Sequence, residues 1–369
     1  MRHWVMDYET LANCFTGVFE HYKTQETEIF VIHDLQNDLP KFISFLQENI
    51  NNKEWHISYN GLAFDAQVTH YILDNYFLWK DLEGCEVAAI IYKYAQRCIT
   101  KSNNKEFSDY PAWKMKMGQI DIFKMHHWDN AAKRSSLKWI QYSMDWQNII
   151  DMPIHHETLI HTQAEINTIL EYCVNDVKST KEIYNRSHSQ VKLRKELTKE
   201  YGINLYSASE PRISKEIFGY FLTKKLGIPK RDLKQMRTYR ETIKVSDIIL
   251  PYISFTSLEF NVLLDRFKSL EVNAYNLKGS FKYAIEYKNV KTHFGLGGVH
   301  GAANKGVYEP DDDMMIMSSD VTSFYPNLAI KNQWSPGHFP KEEFCDQYEW
   351  FFEERKKIPK SNPMNYVYK

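Results

Sequence analysis

Asp7-Tyr8-Glu9 sets two carboxylates two residues apart in a β-prone run that begins with bulky Trp4. Side chains at i and i+2 of a strand leave the same face, so this pair can share one hard cation through oxygen ligands. A solvated strand face is the plain alternative for an isolated acid pair. Asp65 follows Asn60-Gly61-Leu62-Ala63-Phe64 at a predicted helix start, where a carboxylate can serve as N-cap. Tyr172 and Asp176 stand four apart and therefore share one helical face, either as a part-buried tyrosine and surface acid or as a working pair. What raises all three is their order along the chain: strand pair, then Asn with Phe-Asp, then Tyr with Asp. Further on, Ser319-Asp320-Val321-Thr322-Ser323-Phe324-Tyr325-Pro326 reads as a strand end before a helix start, where an acid and backbone N–H groups can meet a triphosphate. A capped helix behind an edge strand is the competing reading. The glycine cluster Gly295 to Gly301 would let backbone approach a phosphate closely.

The elements that must hold these residues can be read from spacing. Trp4 to Tyr8, Cys14 to Tyr22 and Glu28 to Ile32 predict an antiparallel meander, and Trp55 to Asn60 a further strand. Leu39 to Ile50, about Phe64 to Tyr76, Ser135 to Met144 and Gln163 to Arg186 predict helices. The last opens behind Thr162 with Glu165 three positions later, the signature of a capping box. A long connection rich in lysine and aromatics is expected between Tyr76 and Ser135. Helix is predicted onward to Leu226, broken by Gly227-Ile228-Pro229, then again over Leu258 to Leu270. Strands are expected from the glycine cluster to Tyr308 and over Met314 to Met317, and a charged amphipathic helix over Glu342 to Lys357.

Composition bounds the possibilities. With 43% hydrophobic and 25% charged residues in 369 positions, the chain is globular and long enough for two domains or three, not disordered or collagenous. Its five cysteines are odd in number and form no CxxC pair, which argues for reduced thiols and against a zinc site. No apolar run reaches the length of a membrane span, and an acid at Asp7 interrupts any leader, so a cytoplasmic protein without a membrane partner is expected. The net charge of −1 conceals an asymmetry: Tyr184 to Lys244 holds fifteen Lys/Arg against six Asp/Glu. Such a basic middle between acidic flanks suits a phosphate-tracking groove, or simply a solvated helical face.

In order, Asp7-x-Glu9, Asn60-x-x-x-Phe64-Asp65 and Tyr172-x-x-x-Asp176 resemble the three motifs of DEDDy 3′–5′ exonucleases, in the form carried by family B DNA polymerases. The resemblance implies a ribonuclease H-like exonuclease domain over residues 1–190, hydrolysing phosphodiesters with two Mg²⁺ or Mn²⁺ ions. It implies that Asp7, Glu9 and Asp176 hold one ion, that Asp7 bridges to a second near Asp65, and that Tyr172 orients the attacking water. Four acids suit this chemistry because two ions roughly 4 Å apart stabilise both the attacking and the leaving oxygen. Thr10, Asn60 and Phe64 would contact the 3′ strand, and Lys138 matches a lysine near the scissile phosphate. Residues 319–326 resemble motif A of the polymerase palm. That likeness implies metal binding by Asp320, dNTP triphosphate contact around Thr322 and Ser323, and ribose stacking by Tyr325. Gly297 and Gly298 fall where phage members carry a Y-x-G-G loop that touches DNA, although Gly295 stands in the tyrosine's place.

The fingers motif K-x-x-x-N-S-x-Y-G and the palm's second motif D-T-D are absent from the sequence. The expectation is therefore a mixed α/β (α+β) chain. It comprises the exonuclease domain 1–190, a mostly helical basic segment 191–285 and a partial palm 286–369. It would act in DNA replication on primer–template and single-stranded 3′ ends, in the host cytoplasm if phage-encoded. A second chain or further C-terminal sequence would supply the rest of palm, fingers and thumb, so proofreading is expected of this chain alone and primer extension is not. A free-standing DEDDy exonuclease and a non-enzymatic DNA-binding remnant are the two rivals.

Overall fold

Aromatic side chains alternate along the first strands, and that alternation decides the sheet. In the computed structural model, which describes residues 3–132, 134–276, 282–295 and 298–368, β1 (His3–Thr10), β2 (Phe15–His21), β3 (Thr27–His33) and the short β4 (Gln36–Asn37) form the expected antiparallel meander. Trp4, Met6, Tyr8, Phe15, Phe19 and Phe30 all leave one face. There they meet Phe42 and Leu46 of α1 (Leu39–Asn51), with ring centroids of Tyr8, Phe15, Phe19 and Phe30 between 4.8 and 6.0 Å from that of Phe42. Packed aromatic pairs at such separations add to the gain from area burial.

On the other side of β1 lie two parallel strands, β5 (Trp55–Ser58) and then β6 (Gly118–Asp121), which complete a six-stranded mixed sheet in the order β4-β3-β2-β1-β5-β6. Between them the chain forms α2 (Asp65–Asn75) and α3 (Gly84–Asn103). The expected irregular connection between Tyr76 and Ser135 is thus corrected. It contains a twenty-residue helix opened by a capping box of Glu83 and Glu86, and a strand. Val87, Ala88, Ile91, Tyr94, Ala95 and Cys98 of α3 join the same aromatic core, so burial of that stripe is what forms the helix.

The opposite face is covered by α6 (Gln163–Arg186), preceded by α4 (Ile122–Met125) and α5 (Leu137–Ser143). Thr162 and Glu165 close the predicted capping box. Cys173, Val177 and Ile183 of α6 pack on Val5, Val18, Ile57 and Ile120, giving helices on both faces of the sheet. Next, α7 (His188–Tyr201) and α8 (Glu210–Leu226) pair around Leu193, Leu197, Ile213 and Ile217, with Phe351 and Val367 in the same cluster. Buried Arg194 ties this pair to the turns, donating to the carbonyls of Ala208 (2.8 Å), Gln190 (3.0 Å) and Met125 (3.0 Å).

By compactness the chain divides into Met1–Leu222 with Trp350–Lys369, and Thr223–Glu349. The reason lies in α7 and α8, whose apolar faces belong to the core completed by the final residues. The second unit holds α9 (Lys230–Gln235), a ribbon of β7 (Thr242–Lys244) and β8 (Glu271–Asn273) with α10 (Leu258–Lys268), and a meander of β9 (Lys282–Tyr287), β10 (Val290–Gly295) and β11 (Gly298–Ala303). Phe267, Val272, Tyr283 and Phe294 share its small core. Then come α11 (Phe324–Lys331) and α12 (Lys341–Lys357), whose last part belongs to the first unit.

Two strand expectations fail here. β11 ends at Ala303 rather than Tyr308, and Met314 to Met317 form no strand, their side chains being 64–77% exposed. A short apolar run becomes a strand only where another strand offers it a ladder. Among the described residues no helix is long and apolar enough to cross a membrane.

Candidate carboxylate site

Asp7 and Glu9 leave β1 on the face away from the aromatic core, because Met6, Tyr8 and Thr10 alternate with them. That face lies under α6, where Tyr172, Cys173 and Asp176 point at the strand. Cys173 Sγ donates to the backbone carbonyl of Asp7 at 3.4 Å, which fixes the helix over the acid pair. Carboxylate oxygens of Asp7, Glu9 and Asp176 come within 4.8 Å of one another. Among the described residues, no other three Asp, Glu, His or Cys side chains offer ligand atoms so close together.

Asp65 joins them from α2. Its place is N1, not the N-cap; the cap position belongs to Phe64 and makes no side-chain cap bond, so a capping role does not explain the acid. The approach turn is tight. Asn60 has φ +68°, and a Cβ on Gly61 would lie 1.9 Å from Ser58 Oγ, so only glycine fits there. Asp121, the last residue of β6, accepts backbone N–H bonds from Asn60 (3.1 Å), Leu62 (3.0 Å) and Lys124 (3.1 Å) and so holds this turn in place. The side chain of Asp65 is buried, and its Oδ1 has no hydrogen-bond partner. A second orphan is close by: Thr16 Oγ1, on the residue paired with Glu9 across β1 and β2, is buried without a partner.

Electrostatics follow from this crowding. Burial first, then the charges of Asp65, Glu9 and Asp176, hold the Asp7 carboxyl well above the usual carboxylate range. Glu9 is pushed up to about 8 by burial and by Asp176 and Asp65, against the pull of Lys138. Burial lifts Asp65 to about 7 with help from Asp121, although backbone N–H groups of Asp65 and Tyr8 oppose it. Asp176 also rises through burial, restrained by hydrogen bonds from Gln141 and Tyr172 and by Lys138. Tyr172 is raised by burial and by Asp176 and Glu9, so its phenol stays protonated and donates to Asp176. Carboxylates that repel in a low-dielectric setting are stabilised by a cation.

Lys138 Nζ of α5 sits 5.4 Å from the Tyr172 ring centroid and 2.6 Å from Asp151 Oδ1, so the sequence-matched lysine does border the cluster. One turn along α5, buried Gln141 donates from Nε2 to Asp176 Oδ1 and to Ser179 Oγ, both at 2.8 Å. Neither Gln141 nor Asp121 figures among the residues expected from sequence. Gln141 could be found there, since it lies at i+3 from Lys138 on one helical face. Thr10 is buried at the end of β1, and Asn60 and Phe64 are half-buried in the turn before Asp65.

The residues expected of a palm lie in the other unit, and among the described residues Asp320 belongs to no cluster of three potential ligands. Asp320 and Thr322 are exposed, Tyr325 is 71% exposed, and half-buried Ser323 stands at the N-cap position of α11 with φ +50° and no side-chain cap bond. Gly298 opens β11 at φ +138°, and Gly297 lies outside the described residues.

Comparison with protein-family models and with curated proteins finds no match to this chain.

Proposed function

We propose that the first unit is a 3′–5′ exonuclease of the DEDDy kind on a ribonuclease H-like fold, and that the chain is the N-terminal part of a family B DNA polymerase. The observation that carries the nuclease is the meeting of Asp7, Glu9 and Asp176 within 4.8 Å, beside buried Asp65 and under the Tyr172 hydroxyl. Support for the polymerase assignment comes from the motif A resemblance at Asp320.

The donor set suits a hard divalent ion. It is all oxygen, its acids are raised by burial and then by mutual repulsion, and Asp65 Oδ1 is buried with nothing to bond. Asp7, Glu9 and Asp176 would hold one Mg²⁺ or Mn²⁺, and Asp7 with Asp65 a second. Bound there, the ions would lower the pKa of water and offset charge on the leaving 3′-oxygen. The protein's own contribution is positioning. Gln141 fixes Asp176, and Tyr172, protonated throughout the working pH range, presents its oxygen to an incoming water while anchored on Asp176. Lys138 adds positive charge where a phosphate would approach.

The test is a labelled primer–template with a mismatched 3′ end, incubated with Mg²⁺ with and without dNTPs, beside an Asp7→Ala/Asp65→Ala control. The expected result is shortening from the 3′ end that the double variant lacks, without extension. Absence of digestion in both Mg²⁺ and Mn²⁺ overturns the nuclease assignment. Extension by the chain overturns the view that its palm is incomplete.

A further inference from the structure

Thr16, the second residue of β2, is fully buried, and its hydroxyl bonds nothing. Alternation settles which face it takes. Phe15 enters the aromatic core and Val18 packs under α6, so Thr16 shares the α6 face with Asp7 and Glu9. In the antiparallel ladder it stands directly opposite Glu9 on one side and apolar Val31 on the other. Directly opposed residues hold their Cβ atoms about 4.5–5.5 Å apart, and the two further carbons of a glutamate let its carboxylate reach a hydroxyl there.

The four acids are not anchored alike. Asp176 accepts from Gln141 and Tyr172, and Asp7 and Asp65 accept from backbone N–H groups. Glu9 has no such donor among the described residues; burial and neighbouring charges alone act on it. It is also the longest of the four, with the most rotamer freedom to lose when its carboxylate must keep one position. Ionised, a carboxylate offers roughly four lone-pair sites, so a bound cation leaves Glu9 with acceptors to spare. Valine would give position 16 the same shape and strand preference without a buried hydroxyl, which costs stability while unpaired. The hydroxyl is explained by the acid that faces it.

We infer that Thr16 is a positioning residue, whose hydroxyl donates to the Glu9 carboxylate and holds that acid in the cluster when a divalent cation is bound. The inference rests on the exonuclease reading for the cation's part in catalysis. Thr16 itself touches no reacting atom and acts through Glu9, as groups behind metal ligands commonly do.

The experiment titrates Mn²⁺ into the metal-free full chain by isothermal calorimetry, for wild type, Thr16→Val, Thr16→Ala and Thr16→Ser, and melts each protein in EDTA. Thr16→Val should weaken Mn²⁺ binding about tenfold yet melt no lower than wild type in EDTA, because it removes an unpaired hydroxyl and keeps the volume. Thr16→Ala should lose affinity alike, and Thr16→Ser, which keeps the donor, should bind within about twofold of wild type. Mn²⁺ affinity in Thr16→Val within about twofold of wild type would overturn the assignment. So would a loss in Thr16→Ser equal to that in Thr16→Val, which marks packing rather than donation. A loss confined to Thr16→Val and absent from Thr16→Ala is an effect of the added methyl and overturns it too. Wild type that takes up no Mn²⁺ leaves nothing to position, with the same result. Digestion of the mismatched primer in Mg²⁺ is followed in parallel. If Mn²⁺ binding depends on the hydroxyl but no digestion occurs, the positioning role stands and the nuclease reading falls. Digestion by wild type with Mn²⁺ affinity unchanged in Thr16→Val means that the nuclease reading stands and the role of Thr16 falls.

Discussion

Asp7→Asn should make the metal-free protein more stable while removing its activity. Three carboxylates whose oxygens lie within 4.8 Å repel one another by about 3.5 kcal/mol per pair at an effective dielectric of ~20. Fully ionised, the three pairs would consume most of a domain's stability, so at neutral pH the cation-free fold keeps part of the cluster protonated. Asparagine at position 7 removes two of the three pairs and preserves shape. Because protonation already relieves part of the strain, the gain should be roughly 2–4 kcal/mol at about pH 8, or some 5–15 °C in the melting temperature of the first unit. The pH dependence has a definite sign. Glu9 and Asp65 titrate near 8 and 7 in the folded state, above their ordinary values, so the native protein binds more protons than the unfolded chain in this window. Wild-type stability in EDTA therefore falls as pH rises from about 4 to about 8, and the advantage of the variant shrinks towards about pH 5. Scanning calorimetry in EDTA and in millimolar Mg²⁺ reads all of this. Mg²⁺ should raise the wild-type midpoint and leave the variant almost unmoved. A variant that melts no higher than wild type at pH 8 in EDTA, or a wild-type midpoint flat across that window, would refute the electrostatic argument.

Tyr172→Phe should reduce kcat for 3′ digestion roughly 10²-fold with oligonucleotide affinity unchanged, because only the hydroxyl that aligns water is lost; single-turnover digestion beside anisotropy separates the two. Asp320→Ala should leave digestion within about twofold of wild type, since this exposed acid lies outside the carboxylate cluster. A larger loss in the same gel assay would tie motif A to the nuclease. Arg194→Met should destabilise the protein by roughly 2–4 kcal/mol, read as a lower urea midpoint, because it strips donors from the Ala208 and Met125 carbonyls around a buried side chain.

The meander and α6 are legible because their signals are local: Trp4, Met6 and Tyr8 alternate, and Thr162 with Glu165 announces a helix end. The acid pair on β1 and the Tyr172–Asp176 pair follow from the periods of strand and helix alone. Less legible is α3, whose stripe from Val87 to Cys98 has helical spacing but sits among lysines and aromatics that resemble a connection. β6 is harder still. Gly118-Gln119-Ile120-Asp121 is too short to show alternation, and it is a strand because β5 offers it a parallel ladder. Asp121 and Gln141 escape for a related reason, since their importance lies in partners 59–61 and 35–38 residues away. The failure at Met314 to Met317 is the converse, an apolar run that spacing alone makes a strand and that pairs with no strand among the described residues.

Phe351 and Val367 finish a core that begins at Leu193, which sets an order of events during synthesis. The 127 residues from Thr223 to Glu349 must be made before the closing segment exists. At ordinary translation rates of 5–20 residues per second, the apolar faces of α7 and α8 wait about 6–25 s for their cover. The sheet and its carboxylates can fold early in that interval, whereas Ile213 and Ile217 remain open to chaperones or to a neighbouring nascent chain. Folding yield should therefore depend on the speed with which the inserted unit is made, even though the acids of the carboxylate cluster all belong to the first unit.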